Sequence, residues 1–200
     1  MRRGLVLVVS APSGAGKTTL CEKLLSVDKE ISFSVSYTTR SPRPNEKNGK
    51  DYFFVDEKTF EKMIKEGAFL EWARVYNHYY GTSRAQVEET LAAGRDVLLD
   101  IDVQGAFQVR QKLGQDAVLV FILPPSLEEL EKRLRARKTE DEKTILRRLA
   151  AAKGEISQAH QFDYLVLNDN LKEAFDQFYA ILKAERQKTF RRKDLLQRFP

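Results

Sequence analysis

Leu5-Val6-Leu7-Val8-Val9-Ser10-Ala11-Pro12-Ser13-Gly14-Ala15-Gly16-Lys17-Thr18 is the stretch that decides the fold. Its first five residues are apolar without alternation, the pattern of a central parallel strand buried on both faces. From Ala11 to Thr18 it follows the phosphate-loop pattern G-x-x-x-x-G-K-[ST], except that Ala11 stands at the first position. A helical stretch follows, from about Lys17 to Leu25. Gly14 and Gly16 permit backbone conformations that a side chain would penalise. The turn can then aim successive amides at a phosphate, at the positive end of the helix dipole. Lys17 is placed to reach β- and γ-phosphates as a point charge, and the Thr18 hydroxyl to ligate Mg²⁺. A glycine turn with a solvated lysine is the plainer alternative, disfavoured by the strand before it and the helix after it.

Outward from this stretch, Val97-Leu98-Leu99 and Val118-Leu119-Val120-Phe121-Ile122 read as further buried strands, and Ser34–Tyr37 and Tyr164–Leu167 as weaker ones. Helical signals lie between them. Ser83-Arg84-Ala85-Gln86, Ser126-Leu127-Glu128-Glu129 and Thr139-Glu140-Asp141-Glu142 resemble capping boxes. Strands alternating with helices imply βα units and a parallel sheet with helices on both faces. Two stretches break the alternation. Residues 38–82, with Pro42, Pro44, Gly49 and many aromatics, read as a small β-rich insert; residues 126–155 read as helical, heavily charged and exposed. Asp100 ends a buried strand, where α/β folds bind ligands, and near a phosphate loop it is a candidate to hold Mg²⁺ directly or through water. Asp102 points to the same side if the strand continues.

Composition narrows the function classes. The 200 residues carry 34 basic and 29 acidic side chains, a formal charge of +5, and are 42% hydrophobic, enough for a real core. The bulk charge suggests a nucleic acid or an anionic membrane. However, residues 183–200 hold seven basic and two acidic side chains, so the whole surplus sits there; an amphipathic helix with a solvated basic face is the expectation. One cysteine and two histidines exclude an intrachain disulfide and a structural zinc site. No apolar run approaches the roughly 18 residues of a membrane span. The short apolar run after Met1-Arg2-Arg3-Gly4 fails as a signal peptide because the glycine turn and Lys17 follow at once. A cytoplasmic protein is expected, with no membrane and no nucleic-acid polymer as partner.

In the insert, Thr38-Thr39-Arg40-Ser41-Pro42-Arg43-Pro44 sets two arginines on a proline-stiffened loop, and planar guanidinium groups suit bidentate phosphate contacts. Alone, that loop would read as ordinary surface. Eight stretches together change the reading. They are Ser10–Thr18, Ser36–Pro44, Asp51–Val55, Phe69–Ala73, Tyr79–Ser83, Leu99–Gly105, Phe121–Ser126 and Val166–Asp169. In this order and with these gaps, the chain resembles the guanylate kinase family over nearly its whole length.

The resemblance implies an α/β P-loop kinase: a core with a five-stranded parallel sheet flanked by helices, a β-rich GMP-binding insert and a helical lid. The boundaries expected are core 1–37, 83–125 and 156–200, insert 38–82 and lid 126–155. It implies transfer of the γ-phosphoryl group of MgATP to GMP or dGMP, giving ADP and GDP. ATP would meet Ser13, Gly14, Ala15, Gly16, Lys17, Thr18 and Thr19, with Asn168 near the adenine. Arg40, Arg43, Tyr52 and Tyr80 would hold the GMP phosphate; Ser36, Glu71, Thr82 and Asp102 would face the base. Guanine presents N1–H and an amino group side by side, a donor pair that one carboxylate accepts, which singles out Glu71 as the reader. Lid arginines Arg133, Arg137 and Arg148 would meet the phosphates on closure, although Glu129 four residues before Arg133 also fits a plain salt-bridged helix. The catalytic set is then Lys17, Arg40, Arg43, Arg133, Arg137 and Arg148, with Mg²⁺ on Thr18 and Asp100. Two other readings stand beside it: a related P-loop kinase of another phosphorylated small molecule, and a non-catalytic guanylate-kinase-like protein-binding module. The sequence leaves a homo-oligomer open.

Overall fold

β1 (Val6–Ser10) has no exposed residue, and it sits at the centre of the main sheet. A computed structural model describes residues 2–75, 77–136 and 141–199. Alternate side chains of the first strand feed two cores. Leu5, Leu7 and Val9 pack with α1 (Lys17–Val27) on one face. Val6 and Val8 pack on the other. β2 (Ile31–Phe33), at one sheet edge, is parallel to its neighbour.

The chain then leaves for a second sheet. It holds β3 (Tyr37–Thr38), β4 (Phe53–Phe54), β5 (Phe69–Val75) and β6 (His78–Ser83), with the helix α2 (Glu57–Lys65) before the hairpin. The order is β4-β3-β6-β5, with β3–β6 and β5–β6 antiparallel. The expected single strand over Ser34–Tyr37 is instead the passage between two sheets. Ser34 ends the contact with the main sheet, its amide donating to the Leu98 carbonyl, and Tyr37 opens the small one. An aromatic stack replaces a conventional core in this unit: Phe60 lies 4.4 Å from Phe69 and 5.2 Å from Tyr79, centroid to centroid.

After α3 (Arg84–Ala92), the chain returns through β7 (Asp96–Asp100), α4 (Val103–Leu113) and β8 (Ala117–Leu123). A helical pair follows, α5 (Leu127–Ala136) and α6 (Glu142–Ser157), and then β9 (Tyr164–Leu167) and α7 (Leu171–Glu185). The main sheet is β2-β7-β1-β8-β9, parallel throughout, as expected. α7 joins α1 on one face, while α3 and α4 cover the other. The α5–α6 pair has its own small core of Leu130, Leu134, Ile145 and Ala152.

The capping signals at Ser83 and Ser126 are used: each hydroxyl accepts from the amide three residues on. The third is shifted. The cap of α6 is Asp141, which accepts from the Thr144 amide at 2.8 Å, while Thr139 and Glu140 lie outside the described residues. α4 also holds the small sheet in place, because Gln108 bonds both the amide and the carbonyl of Trp72 at 3.2 and 2.7 Å.

The basic C-terminal stretch departs from expectation. A solvated helical face does not describe it: α7 ends at Glu185, and a 3-10 turn and the short α8 (Lys193–Leu196) follow. Arg186 is buried, with Nη1 and Nη2 on Asp28 (2.6 and 3.1 Å) and Nε on Asp96 (2.7 Å). Arg191, 1% exposed, reaches Asp116 and the carbonyls of Gly4 and Gln115. Burial opposes the Arg186 charge, but its two aspartates outweigh burial and hold its pKa above the ordinary value. Two of the seven cations of this stretch, Arg186 and Arg191, thus close the amino ends of the sheet strands, where Asp96 also accepts from Arg2 and the Leu5 amide. The signal for this was available in Asp28, Asp96 and Asp116, but their pairing with residues far along the chain is a property of the fold. Removing one partner of a buried pair strands the other charge. Arg186→Ala is expected to lower the unfolding free energy by about 3–5 kcal/mol in denaturant titration.

Candidate active site

The phosphate loop leaves β1 and turns through Gly14 (φ 96°) and Gly16 (φ 91°), both left-handed. Gly16 caps α1, and a side chain there would collide with the amide of Asn168. That amide, buried, donates to the Ala15 carbonyl at 2.7 Å. Asn168, expected near adenine, is thus also a brace under the loop, and its own carbonyl accepts from Arg133 at 3.3 Å.

β1 and β7 are adjacent and parallel, so the loop and Asp100 emerge side by side at the carboxyl ends of the strands. Lys17 pairs with Asp100, and its ammonium also points at the Ile101 carbonyl, 3.5 Å away. Burial works against the charge on Lys17; the Asp100 carboxylate overcomes it and raises the pKa above that of an ordinary lysine. The cation is therefore held in place by its carboxylate partner.

A β-bulge between Phe69 and Glu71 shifts the hairpin register and sets Glu71 opposite Thr82. Bulges re-aim side chains in this way. The Glu71 carboxyl is buried, and its Oε1 accepts from the Thr82 hydroxyl at 2.5 Å. Burial, with Asp102 nearby, pushes its pKa up to about 7. Oε2 lies against Gly105 in the first turn of α4, where a Cβ would sit 2.5 Å from it. Asp102 caps that helix, accepting from the Gly105 amide at 2.9 Å.

A cleft of about 440 Å³ brings most of the expected residues together. Ser13, Gly14, Gly16, Lys17, Thr18, Thr19, Asp100 and Arg148 line one part; Ser36, Arg43, Tyr52, Glu71, Tyr80 and Asp102 line the other. Arg148 reaches from α6 to the Ser13 hydroxyl at 2.5 Å. Five expected residues stand back from the lining. Ala15 and Thr82 are buried, and Asn168 and Arg133 brace the loop from behind. Arg40 is held by Glu46. Arg133 keeps its ion pair with Glu129 as well. Arg137 lies outside the described residues.

Sequence reasoning missed Gly105, Glu46 and Glu155. Glu155 lines the cleft, its pKa raised to about 7 by burial. It is seven residues after Arg148 on α6, so the same helix face carries both; that spacing was the available signal.

Comparison with known proteins bears on this geometry. A family model described as "Guanylate kinase" matches residues 3–185. A guanylate kinase of Sphingopyxis alaskensis is 55% identical over 195 residues, covering 98% of this chain and 89% of the relative. One from Aromatoleum aromaticum is 52% identical, covering 92% and 89%. The crystal structure of guanylate kinase from Anaplasma phagocytophilum superposes with a TM-score of 0.81 at 38% identity, covering 100% of this chain and 97% of that one.

The Gly105 contact gives a test with opposed signs. Alanine suits a helix interior better than glycine, yet its Cβ would displace Oε2 of Glu71. Gly105→Ala is expected to change stability by no more than about 1 kcal/mol while weakening GMP binding about tenfold or more, read by thermal melting and by calorimetric titration.

Proposed function

Since the chain belongs to the guanylate kinase family, we propose that the cleft described above is where its reaction takes place, with the loop side taking ATP and the small-sheet side taking GMP. The activity is ATP-dependent phosphorylation of GMP, an ATP:GMP phosphotransfer. What supports the placement is one observation: Lys17 on its phosphate loop and Glu71 on its bulged hairpin line the same cleft. The relatives' names disfavour a non-catalytic module. In this reading residues 38–82 are the GMP unit, 126–155 the lid, and 1–37, 83–125 and 156–200 the core.

The acceptor oxygen of GMP is already anionic, so no general base is needed. Alignment and charge stabilisation carry the step. Lys17 meets the β- and γ-phosphates, exchanging part of its pairing with Asp100 for phosphate oxygens. Arg43, Tyr52 and Tyr80, with Arg40, hold the acceptor phosphate in line. Arg148, already at the loop, and Arg133 and Arg137 close over the transferring group, and closure keeps water from taking it. Glu71 accepts from guanine N1–H and the amino group, while Thr82 fixes its orientation; Ser36 and Asp102 complete the base site. Adenine lacks that donor pair and would leave a buried carboxylate unpaired.

The donor set also fits Mg²⁺. The Thr18 hydroxyl and the Asp100 carboxylate both line the cleft beside the phosphate loop. So sparse a set suits an ion that keeps several waters and takes phosphate oxygens. Bound with ATP, the ion supplies neutralisation of phosphate charge. Among the described residues no helix is long and apolar enough to cross a membrane. Cys21 is free and buried. Both suit the cytoplasm, where we place the protein.

In a coupled ADP-release assay, Lys17→Ala is expected to lose about two or more orders of magnitude in turnover while still folding, as read by circular dichroism; near-normal turnover contradicts the assignment. Glu71 gives a pH test. Its pKa of about 7 in the free protein means that it is largely protonated below neutrality, yet guanine requires the ionised form. GMP binding should therefore expel a proton and weaken as pH falls below about 7. The stability sign is opposite: a raised carboxyl pKa favours the fold at low pH, and that support is lost as pH rises toward 7. Calorimetry near pH 7 in buffers of different ionisation enthalpy should show a proton release in the wild type that is clearly smaller in Glu71→Gln, where only the GMP phosphate still contributes.

A further inference from the structure

Arg40 carries five N–H donors in a planar fork. Its Nη1 donates to Oε2 of Glu46 at 2.9 Å and to the Ser41 carbonyl at 2.7 Å, and its Nη2 donates to Oε1 of Glu46 at 2.8 Å. Both hydrogens of Nη1 and one of Nη2 are thus engaged, and the end of the fork is closed by a carboxylate. What these bonds leave is the side edge, Nε–H with the second Nη2–H, which is itself a bidentate donor pair. The guanidinium lies over the Tyr52 ring, 5.4 Å from its centroid, and Tyr52 stands 6.0 Å from Tyr80. Glu46 first, and then the nearby Tyr80 hydroxyl, raise the Arg40 pKa above the ordinary value.

Glu46 does a second thing. Its Oε2 also accepts from the Arg43 amide at 2.8 Å, and its own amide donates to the Arg43 carbonyl at 3.0 Å. One carboxylate therefore stitches the loop from 40 to 46 closed, orienting the Arg40 guanidinium and fixing the Arg43 backbone. Arg40 and Glu46 are comparably shielded, their side chains 15% and 16% exposed, so this pair is built into the unit and is not a loose surface contact.

We infer that Glu46 is a positioning residue for the acceptor phosphate: it spends the end of the Arg40 fork so that only the side edge can meet phosphate oxygens, and it sets the Arg43 backbone beside it. The inference rests on the reading that Arg40, Arg43, Tyr52 and Tyr80 cradle the GMP phosphate. A carboxylate that near a phosphate would be repulsive if it faced it directly; behind a guanidinium it is screened by the cation it orients. Glutamine cannot reproduce the pairing, because one of its two heads is a donor facing donors.

The experiment is steady-state kinetics of Glu46→Gln and Glu46→Asp, varying GMP and ATP separately, with thermal melting of each. The expected result is a KM for GMP raised about tenfold or more in Glu46→Gln. KM for ATP should be unchanged, melting should stay near the wild type, and Glu46→Asp should recover part of the loss. In an Arg40→Ala background the Glu46→Gln effect should shrink, since the two act as a unit. A lower KM for GMP would make Glu46 a competitor of the phosphate and overturn the inference. An unchanged KM, or parallel rises for both substrates together with a lower melting temperature, overturns it too. Arg43→Ala separates the two levels. If it leaves KM for GMP unchanged, the phosphate-cradle reading itself fails; if it raises KM while Glu46→Gln does not, only the role of Glu46 fails.

Discussion

The pairing of Lys17 with Asp100 is the constraint on which the rest depends. It exists because β1 and β7 are neighbours in a parallel sheet and end at the same height. Parallel pairing requires crossovers, and those crossovers supply the helices that bury both faces of the sheet. It also puts a cation and a carboxylate in one cleft, each neutralising the other. The small sheet must then be delivered to that cleft, and Gln108 of α4 does so by bonding the backbone of Trp72, one residue from Glu71.

Much of this was legible in the chain. The apolar run before Ala11, the glycine pair and Lys17 specify strand, turn and helix by local rules, and the main sheet follows from repeating that pattern. Tyr164–Leu167 is a strand with the bounds expected of it, and the expected Val118–Ile122 strand extends by one residue at each end, to Ala117–Leu123. Local rules stop working where partners are remote. Ser34–Tyr37 has strand-like composition, but its hydrogen bonds divide between two sheets, which no local pattern expresses. The bulge that turns Glu71 toward the cleft is a register event between two strands, and it is invisible in either one alone. Asn168 shows the same limit: family resemblance marks the position, but only packing reveals an amide under the phosphate loop.

Charge shows the difference between counting and placing. The net surplus lies in the last eighteen residues, yet Arg186 and Arg191 are spent on Asp28, Asp96 and Asp116 inside the fold. The cations that line the cleft, Lys17, Arg43 and Arg148, come from the electrically balanced remainder. Within the cleft, acids and bases are interleaved: Asp100 sits with Lys17, and behind the wall Glu46 sits with Arg40. Among the described residues, no salt bridge reaches Glu71; burial raises its pKa although Lys112 works against the shift, and a ligand with two adjacent donors is what would relieve it.

That last point carries the central claim, that one buried carboxylate reads two donors of guanine. The most direct measurement is kcat/KM for GMP against IMP, whose base keeps N1–H and lacks the amino group. A hydrogen bond to a charged acceptor is worth about 1.5–3 kcal/mol, so GMP should be preferred by roughly ten- to a hundredfold. AMP, with neither donor, should be worse by about 10⁴ or more. Equal specificity constants for GMP and IMP would contradict the account.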